Sequence, residues 1–308
     1  MYIWNNYCHK NEYILFTLPL FIMKTKHFLA TLCVAATILT VYSCKKETIP
    51  TLDTTDNTYI KNINFAAKAF DDTDPMAEEA YQSGEVTFQG MTLPSNSNEL
   101  NPVMDKAGCA TITRDTVNRI LTIDFGTVNC LCQDGKTRRG KITIQHSGPF
   151  MATGTTRTFN YTNYFINDNQ ITGSRVVTNM GLNANNQLYF QIVVQGAVIM
   201  ANGNGTLTYS AQRTRTWIAG AGTPIKTDNV HEIIGSSSGT FPNGETFTAN
   251  ITSPLIKKFE IGCREVVKGI WVMNRSTRPT KTIDYGNGTC DNEATVTVGN
   301  NTHIINLN

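Results

Sequence analysis

The sequence predicts a mainly β protein, an antiparallel β-sandwich or an extended β-meander with a duplicated module and one short N-terminal helix. Three observations carry this. From Cys109 onward, Thr, Val, Ile, Tyr and Phe alternate with polar residues in short runs. Gly, Asn and Asp separate the runs, and no helical period of useful length interrupts them, which argues against a parallel βαβ fold. Asn243-Gly244, Gly299-Asn300-Asn301 and Asp134-Gly135 have hairpin-turn chemistry, because asparagine and glycine accept the positive φ such turns demand.

The N-terminal part reads as an address. Met23-Lys24-Thr25-Lys26-His27 precedes an apolar run from Phe28 that ends at Ser43-Cys44. A basic start, a short apolar stretch and a small residue before cysteine form a bacterial lipoprotein signal over residues 23–43, with Cys44 as the lipidated residue. The stretch is about 14 residues, short of the ~20 that a membrane-spanning helix needs. Two or three acyl chains at Cys44 hold stably, since each buried methylene contributes about 0.8 kcal/mol. Residues 1–22 carry a second apolar patch and read as a miscalled extension upstream of a start at Met23.

Residues 44–62, polar with Pro50 and a Thr/Asp cluster, read as a flexible tether, and 63–101 as a short helix and loop. Residues 63–70 fit a strand or a helical turn. Asp74-Pro75 followed by Met76-Ala77-Glu78-Glu79 supplies a capping residue, a first-turn proline and first-turn acids, so the helix is expected there. Residues 102–308 form the β-rich region. Strands are expected at 120–125, 141–145, 158–166, 171–178, 188–194 and 206–217, then at 231–237, 246–251, 266–273, 280–285, 294–298 and 303–307.

Thr122-Ile123-Asp124-Phe125-Gly126 recurs as Thr282-Ile283-Asp284-Tyr285-Gly286, and each glycine is followed four residues later by a cysteine, Cys130 and Cys290. Each copy also has an upstream cysteine, Cys109 and Cys263, so repeat units near 109–145 and 263–307 favour disulfides Cys109–Cys130 and Cys263–Cys290, leaving Cys132 over. Cys130-Leu131-Cys132 lacks the second pair or the histidine that a metal site needs.

These motifs, with Asp134-Gly135-Lys136-Thr137-Arg138-Arg139-Gly140-Lys141-Ile142, Arg213-Thr214-Arg215-Thr216-Trp217-Ile218-Ala219-Gly220 and Asn287-Gly288-Thr289-Cys290-Asp291, resemble a family of uncharacterised Bacteroidota lipoproteins. The resemblance covers about two thirds of the chain. It implies an outer-membrane lipoprotein, facing the periplasm or the cell surface, and brings no catalytic activity with it. Asp53-Thr54-Thr55 and Asp115-Thr116-Val117 resemble the O-glycosylation pattern of these bacteria, which makes Thr54 and Thr116 candidate attachment points.

The remaining chemistry is sparse. Gly235-Ser236-Ser237-Ser238-Gly239 matches a nucleophile elbow by letter only, since a turn and a strand follow instead of a helix. His146, His231 and His303 lie in or beside strands without metal-ligand spacing. Asp124 and Asp284 fit turn caps better than an acid/base pair, and Asp284, Asn287 and Asp291 offer calcium-type oxygens without counterparts in the first copy. Alternation places Tyr209, Arg213, Arg215 and Trp217 on one strand face, a candidate ligand face where arginine and aromatic rings bind sugars or anions. Net charge of +2 gives no support to nucleic-acid binding. The expected function is therefore a non-enzymatic binding or structural accessory of the envelope, without cofactor or metal. It is held to the membrane by its lipid and has a glycan or envelope protein as partner. The alternative is an exported hydrolase of the glycoside-hydrolase type, using paired carboxylates.

Overall fold

The computed structural model describes residues 54–82, 87–88, 91–92, 108–149, 151–223, 226–260, 263 and 265–307. Cys44, the signal segment, the upstream extension and most of the 83–101 loop lie outside the described residues. Two helices, α1 (Thr54–Asp71) and α2 (Thr73–Gln82), come first. A two-stranded ribbon follows, β1 (Thr87–Phe88) and β2 (Met91–Thr92). The rest is one open antiparallel sheet of 14 strands. Its strands are β3 (Thr111–Asp115), β4 (Ile120–Asp124), β5 (Cys130–Leu131), β6 (Thr137–His146), β7 (Thr156–Ile166), β8 (Asn169–Leu182) and β9 (Leu188–Ile199), then β10 (Thr206–Ala219), β11 (Val230–Thr240), β12 (Thr246–Lys258), β13 (Val266–Arg275), β14 (Arg278–Asn287), β15 (Glu293–Val298) and β16 (Asn301–Asn306). From β6 to β16 every strand pairs with its chain neighbour. The fold is thus the meander, not the sandwich.

All twelve expected strands fall on observed ones; β3 and the two-residue β1, β2 and β5 are additional. The three expected turns are present, with positive φ at Gly135, Gly244 and Gly299. The helical part differs more. Helix α1 begins at Thr54, inside the stretch expected to be a tether, and takes in residues 63–70. Its buried positions Asp56, Ile60, Ile63, Ala66 and Phe70 recur every three or four residues, so one face turns to the sheet. Pro75, with no N–H and a ring that crowds the preceding turn, stands where α1 gives way to α2. At the break the Thr73 hydroxyl donates to the Phe70 carbonyl at 2.6 Å.

Contacts along α1 show that the sheet curls around it. Asn64 donates to the carbonyl of Leu307, just past β16, while Asp72 pairs with Lys136, just before β6. Those strands lie ten steps apart in the sheet, about 48 Å if it were flat. Asn64 and Asp72 are only about 12 Å apart along a helix. A flat sheet cannot meet both.

The two motif copies form equivalent corners near the two ends of the sheet. Asp124 accepts from the Gly126 N–H at 2.9 Å, and Asp284 from the Gly286 N–H at 2.8 Å. Cys109–Cys130 and Cys263–Cys290 are disulfide-bonded, and Cys132 is a buried thiol whose Sγ lies 3.3 Å from that of Cys109. The following aromatics, Phe125 and Tyr285, both turn into the core.

Phe70 fixes the height of α1 above the sheet. Its ring stacks on Tyr209 at 5.9 Å and meets Tyr161 edge-on at 5.6 Å. It rests on Gly196, where an added Cβ would lie 2.3 Å from the Thr172 carbonyl oxygen and 2.7 Å from Phe70 Cζ. Overpacking of this kind costs about 1–3 kcal/mol. Gly196→Ala is therefore expected to lower the unfolding free energy measured by urea titration by that amount. Combination with Phe70→Ala should be less than additive, because one of the two clashes is then gone.

Candidate functional site

Inward-facing positions of the strands carry a set of cations, each on the same parity as apolar neighbours. Arg157 shares its face with Phe159 in β7, Arg175 with Val177 in β8, and Arg215 with Tyr209 and Ala211 in β10. Arg275 follows Trp271 and Met273 in β13, and Lys281 precedes Ile283 in β14. The helices supply the carboxylates. Asp74 Oδ2 lies 2.7 Å from Arg215 Nη1 and 3.0 Å from Arg175 Nη2, and its Oδ1 lies 3.2 Å from Arg157 Nη1. Asp71 meets Arg213 at 3.0 Å. At the other end of α1, Asp56 meets Arg275 at 2.6 Å and Lys281 at 3.2 Å. Arg275 also pairs with Glu245 and covers the Tyr59 ring at 4.3 Å.

The candidate ligand face thus has an occupant within the chain. Tyr209, Arg213, Arg215 and Trp217 do share one face, but it is the inner one. Tyr209 and Arg215 are buried, Arg213 and Trp217 half-buried. Arg213 donates to the Tyr209 hydroxyl at 2.6 Å, and Trp217 Nε1 donates to Asn229 at 3.1 Å. Asp74, expected as a helix cap, spends its carboxylate on the arginines of three strands instead. An arginine or lysine on the apolar parity of an alternating strand is the sequence signal for Arg157, Arg175, Arg275 and Lys281, which the motifs do not include.

Electrostatics follow from this packing. Burial alone would raise the Asp74 carboxyl, but Arg157, Arg175 and Arg215 hold it well below the usual carboxylate range. Burial, and then Arg157, push the His146 imidazole down to about 4. Burial, Arg215 and Lys257 hold His231 well below its ordinary value. Both rings are buried in strands, as core histidines, and His303 is half-buried in β16.

The other candidates are spent locally. Asp124 and Asp284 lie on the outward parity of β4 and β14, with eight strands of the sheet between them, and each caps its own corner. Asn287 and Asp291 likewise accept from Thr289 and Glu293. Residues 235–239 run within β11, so no elbow presents a serine. Thr116 is exposed at the β3–β4 turn; the side chain of Thr54 lies outside the described residues.

Between α1 and the two flanks of the curled sheet lies a cavity of about 640 Å³. Its wall includes Asn62, Asn64 and Phe65 of α1, Asn167 and Asn169 of the β7–β8 hairpin, and Met200. Two ion pairs border it, Lys68–Glu265 at 2.6 Å and Lys136–Asp72 at 3.5 Å. Asp134 also lines it, held by Arg138 through two contacts of 2.7 Å. Burial would raise that carboxyl, but Arg138 and Lys136 lower it. A smaller apolar recess of about 70 Å³, lined by Ile233, Leu255, Val266 and Trp271, shares Asn64 and Lys68 with this cavity.

In comparisons with protein-family models, curated proteins and solved structures, nothing matches this chain.

Two outcomes follow. Asp74→Ala leaves three buried guanidiniums without their shared counter-charge, a loss of about 3–5 kcal/mol that urea unfolding should register. Acidification should also weaken the fold between about pH 6.5 and pH 4. In that window the unfolded His146 binds a proton and the folded one resists it, so stability present above pH 6.5 falls by roughly 3 kcal/mol. His146→Gln is expected to flatten the midpoint-versus-pH curve across that window.

Proposed function

We propose that this protein is an outer-membrane lipoprotein, anchored through Cys44, that binds a saccharide-like polar ligand in the cavity beside α1 and performs no catalysis. The observation that carries the reading is the cavity itself. Its volume, about 640 Å³, lies in the range of small-ligand sites, which span about 300–1,000 Å³. Its wall suits a hydroxyl-rich molecule, with asparagine amides, ammonium and carboxylate groups of opposite sign side by side, and the Phe65 ring for an apolar sugar face.

The same wall argues for binding over hydrolysis. Glycoside cleavage needs one carboxyl kept protonated beside a second, ionised one. Here Asp72, Asp134 and Glu265 each face a lysine or arginine, and cation-paired Asp134 is lowered, opposite to the shift a general acid requires. The low net charge supports neither nucleic acid nor a polyanion as the ligand. A lipid at Cys44, followed by a segment between Cys44 and α1, fits an envelope protein of the kind its motifs resemble.

Titration calorimetry of the full chain in non-ionic detergent against a panel of tri- to hexasaccharides tests the binding half. At least one should bind with Kd below about 1 mM, and Asn62→Leu or Lys136→Met should weaken it by roughly tenfold, about 1.4 kcal/mol. A panel without any binder, or binding untouched by both variants, overturns it. The anchoring half is tested by detergent-phase partitioning: Cys44→Ala should move the protein to the aqueous phase, and unchanged partitioning defeats the anchor.

A further inference from the structure

Around Asp74 and Asp71, among the described side chains, the arginines that border one pocket outnumber the carboxylates that meet them. Arg175, Arg213 and Arg215 meet two carboxylates, Asp74 and Asp71, and Asp74 serves Arg157 as well, so three positive groups at this pocket share two negative ones. Arg175 and Arg215 are buried, and Arg213 is half-buried. Removing charge from water without a counter-charge is strongly unfavourable. His231, beside this group, is kept uncharged by burial and by Arg215, so the surrounding protein already resists one more positive charge here.

Next to the cluster is a small pocket of about 20 Å³, lined by Arg175, Arg213, Arg215, His231 and Lys257 on its polar side and by Ile192, Ile233 and Phe259 on its apolar side. Asp71 is the carboxylate on its wall. Arg175 is 1% exposed, and its Nε and Nη1 have no hydrogen-bond partner among the described residues, its Nη2 alone going to Asp74. Nε of Arg213 and Nε of Arg215 are in the same position. Buried guanidinium N–H groups are normally satisfied, and these are N–H donors that belong to charged groups bordering one pocket.

We propose that this pocket binds one monatomic anion, chloride in practice, held by Arg175, Arg213 and Arg215. The ligand class follows from three features. The excess of positive charge calls for an anion. Donors without acceptors call for a group that only accepts. A volume near that of one water-sized particle admits a halide and excludes sulfate, phosphate or a carboxylate-bearing molecule. The site shares Lys257 with the wall of the saccharide cavity but none of its three arginines, and its function is to complete the charge balance that lets the sheet hold the helices.

The test measures the thermal unfolding midpoint of the full chain, in non-ionic detergent, as potassium gluconate is replaced by potassium chloride at constant ionic strength. The midpoint is expected to rise and saturate with chloride, as binding to the native state alone requires. Bromide should replace chloride, and sulfate should not. Arg213→Gln, chosen because replacing the fully buried Arg175 risks unfolding, should raise the half-saturating chloride concentration at least tenfold. Crystals grown in bromide should show an anomalous peak within hydrogen-bond reach of Arg175. A flat gluconate-to-chloride profile overturns the proposal. So does a saturating profile that Arg213→Gln leaves unchanged, or a bromide peak elsewhere with this pocket empty.

Discussion

The carboxylate of Asp74 is the constraint on which this fold turns. One acidic group near the start of α2 meets arginines from β7, β8 and β10, strands that are not all neighbours. In water such contacts contribute little. Buried, they fix position, because any displacement of the helix leaves guanidiniums uncompensated. Asp56 does the same at the opposite end of α1, against β13 and β14. One charged anchor lies in the first turn of α1 and the other just past its end, at the start of α2, and the apolar stripe of Ile60, Ile63, Ala66 and Phe70 fills the interval between them.

This arrangement answers a problem that a long meander creates. Among the described residues, an antiparallel sheet of 14 strands has one face to bury and only a two-stranded ribbon as a second sheet. A single pair of helices is too narrow to cover it flat. Curling brings distant strands to the same helix, and the curl leaves space at its margins, where the sheet no longer touches α1. The cavity between α1 and the flanks is that space. Function and architecture are therefore linked. The helix that supplies the core also supplies one wall of the proposed ligand site, and the disulfides brace the corners near both ends of the sheet.

The duplicated motif has a structural meaning that fits this picture. Each copy carries, at or near the end of a strand, an aspartate that caps a glycine of positive φ, turns an aromatic inward and then places a disulfide. Phe125 and Tyr285 are equivalent in this sense, and Tyr285 further reaches Asn64 of α1 at 3.4 Å. The conspicuous acidic residues of the sequence are consumed by backbone geometry, and the chemistry of the interior belongs to residues with no motif at all.

The sequence by itself determined the local elements. Alternation gave twelve strands, asparagine and glycine gave the turns, and the repeat gave both disulfides, because each of these depends on neighbours close in the chain or on an internal copy. It also placed Tyr209, Arg213, Arg215 and Trp217 on a common face. What that face meets was decided only in three dimensions. Charged side chains usually face solvent, so a run such as Arg213-Thr214-Arg215 reads as a ligand surface until a carboxylate from more than a hundred residues away is seen to occupy it. For the same reason α1 escaped notice: Asp56 and Asn64 interrupt its apolar stripe, and their place on the inner side follows from partners in β13, β14 and beyond β16 rather than from the helix itself. Burial of charge is a property of the pair, and a chain read one residue at a time holds only half of each pair.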